Sequence, residues 1–362
     1  MKLSLLVDSP AFWHQCQRDI ENARQSVYVQ TLSFEGDSAG RGLSDLLIRK
    51  QLPDTRILVD SFTRYIINDR FLPAPANRRD PDLQAEVRAT HEMIRELRKN
   101  NVQVQFTNPA GLLMSRFLSR NHKKLVLVDG HIAYIGGINF SDHNFDWHDL
   151  MLRIEDEAVG QFLEDDFLNT WIGKNIGASR RFPELTLHCF DGSTNRARFG
   201  AILEMIDNAR ESIFIESPYL SFPFYGRLGK ARRRGVKVTI VSPQNNNKES
   251  LGKYTRWECA RAGLDLHLYQ KGMTHLKAML VDGKQLVLGS SNFDYLSYTS
   301  HQETAVVVKN REIIEAFTEQ VMKPDLAASL PDQSPVRPAS GYLRHFAMRT
   351  LGPVAVLLAK RP

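Results

Sequence analysis

Two stretches of the 362-residue chain carry the same reactive side chains at the same spacing. His122, Lys124 and Asp129 stand in the first; His275, Lys277 and Asp282 stand in the second. In both, lysine follows histidine by 2 positions and aspartate follows it by 7. An asparagine follows each histidine by 17 positions: Asn139 after Gly136-Gly137, and Asn292 after Gly289-Ser290-Ser291. Then comes a carboxylate, Asp149 at 27 positions and Glu303 at 28.

These groups together suit the transfer of a phosphodiester. Lysines supply point charges, and asparagines supply amide N–H donors, to the non-bridging oxygens, so Lys124, Lys277, Asn139 and Asn292 are candidate phosphate-binding residues. One neutral imidazole can attack phosphorus and give a phosphohistidine. The other, as imidazolium, can protonate the leaving oxygen and later take the proton of the acceptor. Asp149 and Glu303 each open an apolar run and are candidates to accept a hydrogen bond from an imidazole and fix its tautomer. With two lysines offsetting the charge, the constellation calls for no metal and no cofactor. A single His-x-Lys would be an ordinary buried or exposed pair; two copies with matching Asp and Asn offsets are not. The residues leave open which histidine attacks.

Such side chains need a frame. Residues 11–25 read as a helix, 26–34 as a strand, GRGLSDLLIRK as a second helix and 56–62 as a strand. Residues 81–100 read as a long helix with Pro81 at its start, and 102–106 as a short strand. Val126, Leu127 and Val128, like Met279, Leu280 and Val281, give each motif β character. Within a strand, positions i and i+2 share a face, so imidazole and ammonium are expected to point into one space. The alternation of helix and strand predicts an α/β architecture.

The frame is repeated. ARQSVYVQT (23–31) matches ARESIFIES (209–217), RILVDSF (56–62) matches KVTIVSP (237–243), and NVQVQF (101–106) matches GLDLHLY (263–269). The two histidine motifs follow in the same order, which argues for a duplicated domain. The expected division is residues 1–184, 185–327 and a linker with an apolar-basic tail at 328–362. The tail is expected either to pack back on the protein or to lie at a membrane interface.

Composition bounds the partners. The chain is 42% hydrophobic with 47 basic and 41 acidic residues, a net charge of +6. That excludes a disordered chain. Cys16, Cys189 and Cys259 are too few and too far apart for a disulfide scaffold or a zinc site, and are expected as reduced thiols. In MKLSLLVDSPAF, Asp8 interrupts the apolar stretch too early for a signal-peptide core, and no run reaches the ~18 apolar residues of a membrane span. The excess positive charge favours an anionic partner, either lipid headgroups or nucleic acid.

The duplicated motif resembles the phospholipase D superfamily over nearly the whole chain to about residue 325, and within it the bacterial cardiolipin synthases. SRNHKKLVLVDGHIAYIGGINFSD (119–142), ESPYLSF (216–222) and HLKAMLVDGKQLVLGSSNFD (275–294) carry the likeness. The resemblance implies two similar α/β domains, with mixed sheets flanked by helices, related by a pseudo-two-fold axis. It implies ping-pong transfer of a phosphatidyl group, with His122 as nucleophile, His275 as acid/base, and Asp129 and Asp282 in structural roles. It implies a phospholipid substrate, an anionic membrane surface and a place at the inner face of the cell membrane. The chain departs from the pattern in Gly-Ser-Ser-Asn, in His-Gln-Glu before the second acid, and in carrying no apolar pair like the membrane-spanning one of many members. Hydrolysis of phospholipids, or a metal-independent nuclease, would use the same chemistry. No basic stripe interleaved with aromatics is present to stack bases, so nucleic acid is not expected as a partner.

Three further segments are of interest. PAGLLMSRFLSR (109–120) mixes apolar residues with Arg116 and Arg120 and is expected to form a lipid-entry lip, with an ordinary core-packed turn as the alternative. SFPFYGR (221–227) either flanks the same mouth or supplies core aromatics. ARRRGVK (231–237) is expected to be a solvated helix end, or otherwise a headgroup patch.

Overall fold

The computed structural model describes residues 1–333. The tail from residue 334 onward lies outside the described residues. Two compact units divide the chain, Met1–Ile176 and from Gly177 on.

The first unit holds strands β1 (Lys2–Val7), β2 (Ser26–Thr31), β3 (Asp54–Asp60), β4 (Ile66–Ile67), β5 (Arg70–Phe71), β6 (Gln103–Thr107), β7 (Leu125–Val128), β8 (Ile132–Gly136) and β9 (Leu150–Glu155). Its helices are α1 (Asp8–Asn22), α2 (Ser38–Lys50), α3 (Pro75–Arg78), α4 (Pro81–Lys99), α5 (Asp142–Phe145) and α6 (Glu157–Trp171). The sheet runs β1-β9-β8-β7-β2-β3-β6, with β4 and β5 a separate hairpin. The β2, β3 and β6 pairings are parallel; the rest are antiparallel.

The second unit repeats this order. Its strands are β10 (Ala178–Arg181), β11 (Leu185–Asp191), β12 (Ser212–Glu216), β13 (Lys237–Pro243), β14 (Asp265–Tyr269), β15 (Ala278–Val281), β16 (Gln285–Gly289), β17 (Gln302–Val308) and β18 (Ser329–Pro331). Its helices are α7 (Asn195–Arg198), α8 (Gly200–Asn208), α9 (Phe224–Arg233), α10 (Glu249–Ala262), α11 (Tyr295–Thr299), α12 (Arg311–Phe317) and α13 (Lys323–Ala327). The sheet runs β10-β11-β17-β16-β15-β12-β13-β14-β18. Strands β11 to β14 of that order match β1 to β6 of the first sheet in sequence and direction. The expected duplicated α/β frame with mixed sheets is therefore present.

Local chemistry explains the elements. In α1, Phe12, Cys16 and Ile20 recur every fourth residue and are buried against Val27, Val29 and Val126 of the sheet. Asp80 caps α4 by accepting from the Leu83 N–H at 3.1 Å, with Pro81 at the first helical position. Asn101 and Gly263, which follow α4 and α10, both take the left-handed conformation, at φ +63° and +65°. In the second unit Ile213, Ile215, Val238, Ile240, Met279 and Val281 form the sheet's share of the core. All three cysteines are buried, and none is in a disulfide.

Three expectations are corrected. Residues 2–7 form a strand paired with β9, and α1 starts at Asp8 rather than at residue 11. Strand β2 stops at Thr31, short of residue 34. The second repeat pair is displaced by two residues: Ser26 pairs with Asp54 and Ser212 with Lys237, so Lys237 corresponds to Asp54 and not to Arg56. A two-residue slip preserves which side chains face the core, so hydrophobic alternation cannot detect it. Phe224 and Tyr225 are core residues, while Phe222 is half-buried. Arg232 and Arg233 are exposed, as expected of a helix end. Among the described residues no helix is long and apolar enough to cross a membrane.

Candidate active site

Both His-x-Lys pairs lie just ahead of a strand rather than within it: β7 begins at Leu125 and β15 at Ala278. In the second copy the ammonium and the imidazole nonetheless meet. The Lys124 ammonium folds back to donate to the His122 carbonyl at 2.8 Å. In the second copy Lys277 lies 2.7 Å from His275 Nδ1 and also donates to the His275 carbonyl. All four residues are buried.

The first lead-in is held by an acid that sequence reasoning missed. Asp60, at the end of β3, accepts from Arg120 Nη1 at 2.9 Å, from the Asn121 N–H at 2.6 Å and from the Phe62 N–H at 2.7 Å. Lys123 points the other way, to both carboxylate oxygens of Asp166 on α6 at 2.7 and 2.6 Å. That buried pair separates the two adjacent lysines, leaving Lys124 on the histidine's side. In the second unit Thr274 holds the equivalent place and donates to Glu216 Oε1 at 2.5 Å. The Tyr219 ring meets His275 edge-on, with centroids 6.2 Å apart. The alignment of Thr274 with Asn121 was the available signal for this difference.

The motif aspartates serve the backbone. Asp129 accepts from the N–H groups of Arg24, Gln25 and Ser26 at 2.8, 2.7 and 2.9 Å. Asp282 does the same for Arg210, Glu211 and Ser212, at 3.0, 2.8 and 3.0 Å. Each stands at positive φ, followed by a glycine, Gly130 or Gly283, that also has positive φ, in the tight turn between the two strands. Burial raises each carboxyl's pKa, but the backbone donors outweigh it and hold the group below its ordinary value. Five residues of extended chain, roughly 16 Å, separate Lys124 from Asp129. The aspartates thus staple a hairpin to the start of β2 or β12.

Asn139 is mostly committed within its own unit. Its Oδ1 accepts from Thr31 Oγ1 at 3.2 Å and from the N–H groups of Leu32 and Ser33 at 3.3 and 3.4 Å. Its Nδ2 donates to Asn144 Oδ1 at 2.9 Å, which leaves the second amide hydrogen uncommitted. Asn292 keeps a buried Oδ1 with no hydrogen-bond donor to it.

The two carboxylates are buried in different ways. A Cβ at Gly137 would lie 2.2 Å from Asp149 Oδ2, so only glycine fits beneath that acid. Ser290 occupies the corresponding place and donates to Glu303 Oε2 at 2.5 Å, while Ser297 donates to Oε1 at 2.8 Å. The longer acid therefore gains two hydroxyl donors where the shorter one gains space. His301 Nδ1 lies 3.7 Å from Glu303 Oε1. His148, unassigned by the sequence pattern, pairs with Asp8 at 2.6 Å.

Comparison with known proteins follows the same lines. A family model described as "Cardiolipin synthase, PLD-like domain" matches residues 17–171 and 202–323. Cardiolipin synthase A of Pseudomonas putida (strain W619) is 28% identical over 348 residues, covering 88% of this chain and 67% of that protein. Cardiolipin synthase A of Pseudomonas aeruginosa (strain LESB58) is 26% identical over 385 residues, covering 99% and 73%. Among solved structures, phosphatidylserine synthase of Haemophilus influenzae Rd KW20 superposes with a TM-score of 0.70 at 16% identity, covering 98% of this chain and 95% of that one. Polyphosphate kinase of Porphyromonas gingivalis superposes at 0.61 and 12% identity, over 98% of this chain and 53% of that one. These two establish a shared fold. With both His-x-Lys motifs inside the matched segments, the chain belongs to the family of cardiolipin synthase, phospholipase D-like domains.

Proposed function

We propose that the protein is a phosphatidyltransferase that makes cardiolipin from phosphatidylglycerol through a phosphohistidine. One observation carries the reading: two units of the same topology each present a buried histidine with a lysine folded back on it, at the lead-in to the same strand. The names of the relatives supply the substrate class.

In this reading a nitrogen of His122 attacks phosphorus while the bond from phosphorus to the leaving glycerol oxygen breaks. His275 gives that oxygen its proton. A hydroxyl of a second phosphatidylglycerol then loses its proton to His275 and attacks, and the P–N bond breaks. Lys124 and Lys277 stabilise charge on the non-bridging oxygens. Asn292 and the second amide hydrogen of Asn139 add donors. Asp149 and Glu303 orient the imidazoles. An anionic membrane surface supplies the substrate, at the inner face of the cell membrane. With water as acceptor the same steps release phosphatidic acid.

The test is incubation of the purified protein with phosphatidylglycerol vesicles and, separately, with labelled single-stranded DNA. Cardiolipin and glycerol are expected as products. Cleavage of DNA with the lipid untouched would overturn the proposal.

A further inference from the structure

The segment before His122 does not merely pack. Leu112 is 85% exposed, the highest value for a large apolar side chain among the described residues, and Phe71 is 38% exposed. Neither sits on a loose strand of chain. Gly111 and Met114 turn the backbone at positive φ, and Arg116 N–H closes the turn on the Ala110 carbonyl at 2.8 Å. Behind the turn, the Phe117 ring lies 6.3 Å from Phe62, 6.3 Å from Tyr65 and 6.2 Å from Phe71. The Arg120 guanidinium covers Phe117 at 5.6 Å and is anchored on Asp60. Two apolar tips are therefore held outward on a braced aromatic base that ends two residues before His122.

The same two segments carry exposed positive charge. Residues 61–80 and 109–120 expose Arg64, Arg78, Arg79 and Arg116 against one exposed acid, Asp69. Asp80 is paired with Arg70 at 2.7 Å. Exposed apolar side chains on segments rich in exposed arginine suit the boundary between acyl chains and anionic headgroups, where each part finds its own medium. A nucleic-acid backbone would engage the arginines and leave Leu112 in water.

We infer that residues 61–80 and 109–120 form the surface by which this protein docks on an anionic phospholipid leaflet, with Leu112 and Phe71 entering the acyl boundary. The inference rests on the proposed phospholipid reaction for why a leaflet is met, but the surface itself is read from exposure and charge.

Flotation of the full chain with phosphatidylcholine vesicles, with and without phosphatidylglycerol, tests it. The parent is expected to float with the anionic vesicles. Leu112→Glu is expected to reduce partitioning about tenfold or more, since a buried leucine is replaced by a charge. A double variant, Arg78→Glu with Arg79→Glu, reduces it through charge alone and guards against an effect peculiar to one site. Turnover of a water-soluble short-chain phosphatidylglycerol should stay at the parent's level in both variants, while turnover on vesicles falls. Flotation of both variants like the parent overturns the inference, as does a parent that stays unbound. So does loss of affinity for single-stranded DNA in place of vesicles. Vesicle binding that behaves as expected, with no turnover of either lipid form, would instead sink the catalytic proposal and leave the surface standing.

Discussion

Replacing Asp129 by asparagine separates a structural role from a chemical one. The carboxylate takes three backbone N–H groups at the start of β2. Hydrogen bonds to a charged group contribute about 1.5–3 kcal/mol each when well shielded. Asp129 is only half-buried, so water replaces much of the loss, and the asparagine Oδ1 keeps an acceptor. A net loss of about 2–3 kcal/mol follows, or a fall in Tm of roughly 4–12 °C for a unit of this size. The pH dependence has a definite sign. The folded carboxyl titrates below its ordinary value, so its stabilisation is present above the unfolded pKa of about 3.9 and is lost as pH falls through the lower folded value. The parent should therefore lose more stability on acidification than Asp129→Asn does. Thermal unfolding followed by circular dichroism measures the first effect. Turnover at a temperature well below both transitions measures the second, and kcat should remain within about threefold of the parent. A thousandfold loss of kcat with Tm unchanged would refute the reasoning and put Asp129 at the reacting centre.

Other changes follow from the same geometry. His122→Ala should abolish the acid-labile phosphoenzyme seen with labelled lipid, whereas His275→Ala should accumulate it slowly and turn over little; equal labelling in both would count against the assignment of roles. Gly137→Ala forces the Asp149 carboxylate aside and should cost about 1–3 kcal/mol by denaturant unfolding, while Ser290→Gly in the second unit is sterically harmless and removes only a donor to Glu303. Lys123→Met strands the buried Asp166 charge and should cost about 3–5 kcal/mol, with Lys123→Met plus Asp166→Leu recovering most of it. Burial pushes the Glu35 carboxyl up to about 9, with Asp37 and Glu86 beside it adding to the rise. The folded protein thus holds a proton that the unfolded chain releases, and stability should fall as pH rises from about 4.5 to 9. Glu35→Gln should flatten that slope, as urea titrations across the range would reveal.

What could be read in the sequence was whatever recurs locally. The matched His, Lys, Asp and Asn offsets, and the four repeated strands, needed only comparison of one half with the other. Asp60 and Asp166 escaped because each acts on a residue far along the chain, Asp60 on Arg120 and Asp166 on Lys123, and neither spacing carries a pattern. Strand β1 escaped because KLSLLV gives no clear alternation and its pairing partner, β9, lies about 150 residues on. The displaced β3 and β13 match has the opposite cause. Its apolar pattern was clear, but a shift of two leaves that pattern intact, and only the pairing of Ser212 with Lys237 fixes the register.

Duplication gives two copies of the motif, and their differences bear on the division of labour. Lys277 donates to His275 Nδ1 at 2.7 Å, so that nitrogen is an acceptor and the proton of a neutral His275 ring is on Nε2. Around Glu303 the second unit also places two hydroxyls and His301, whereas in the first Gly137 lies beneath Asp149. In the proposed reaction these groups would serve the acid/base role given to His275. In the first unit, Lys124 donates to the His122 carbonyl at 2.8 Å. If Lys277→Met left the pH profile of turnover unchanged, this link between ammonium and proton position would fail; the expected result is a displaced acid limb with a smaller effect on KM than on kcat.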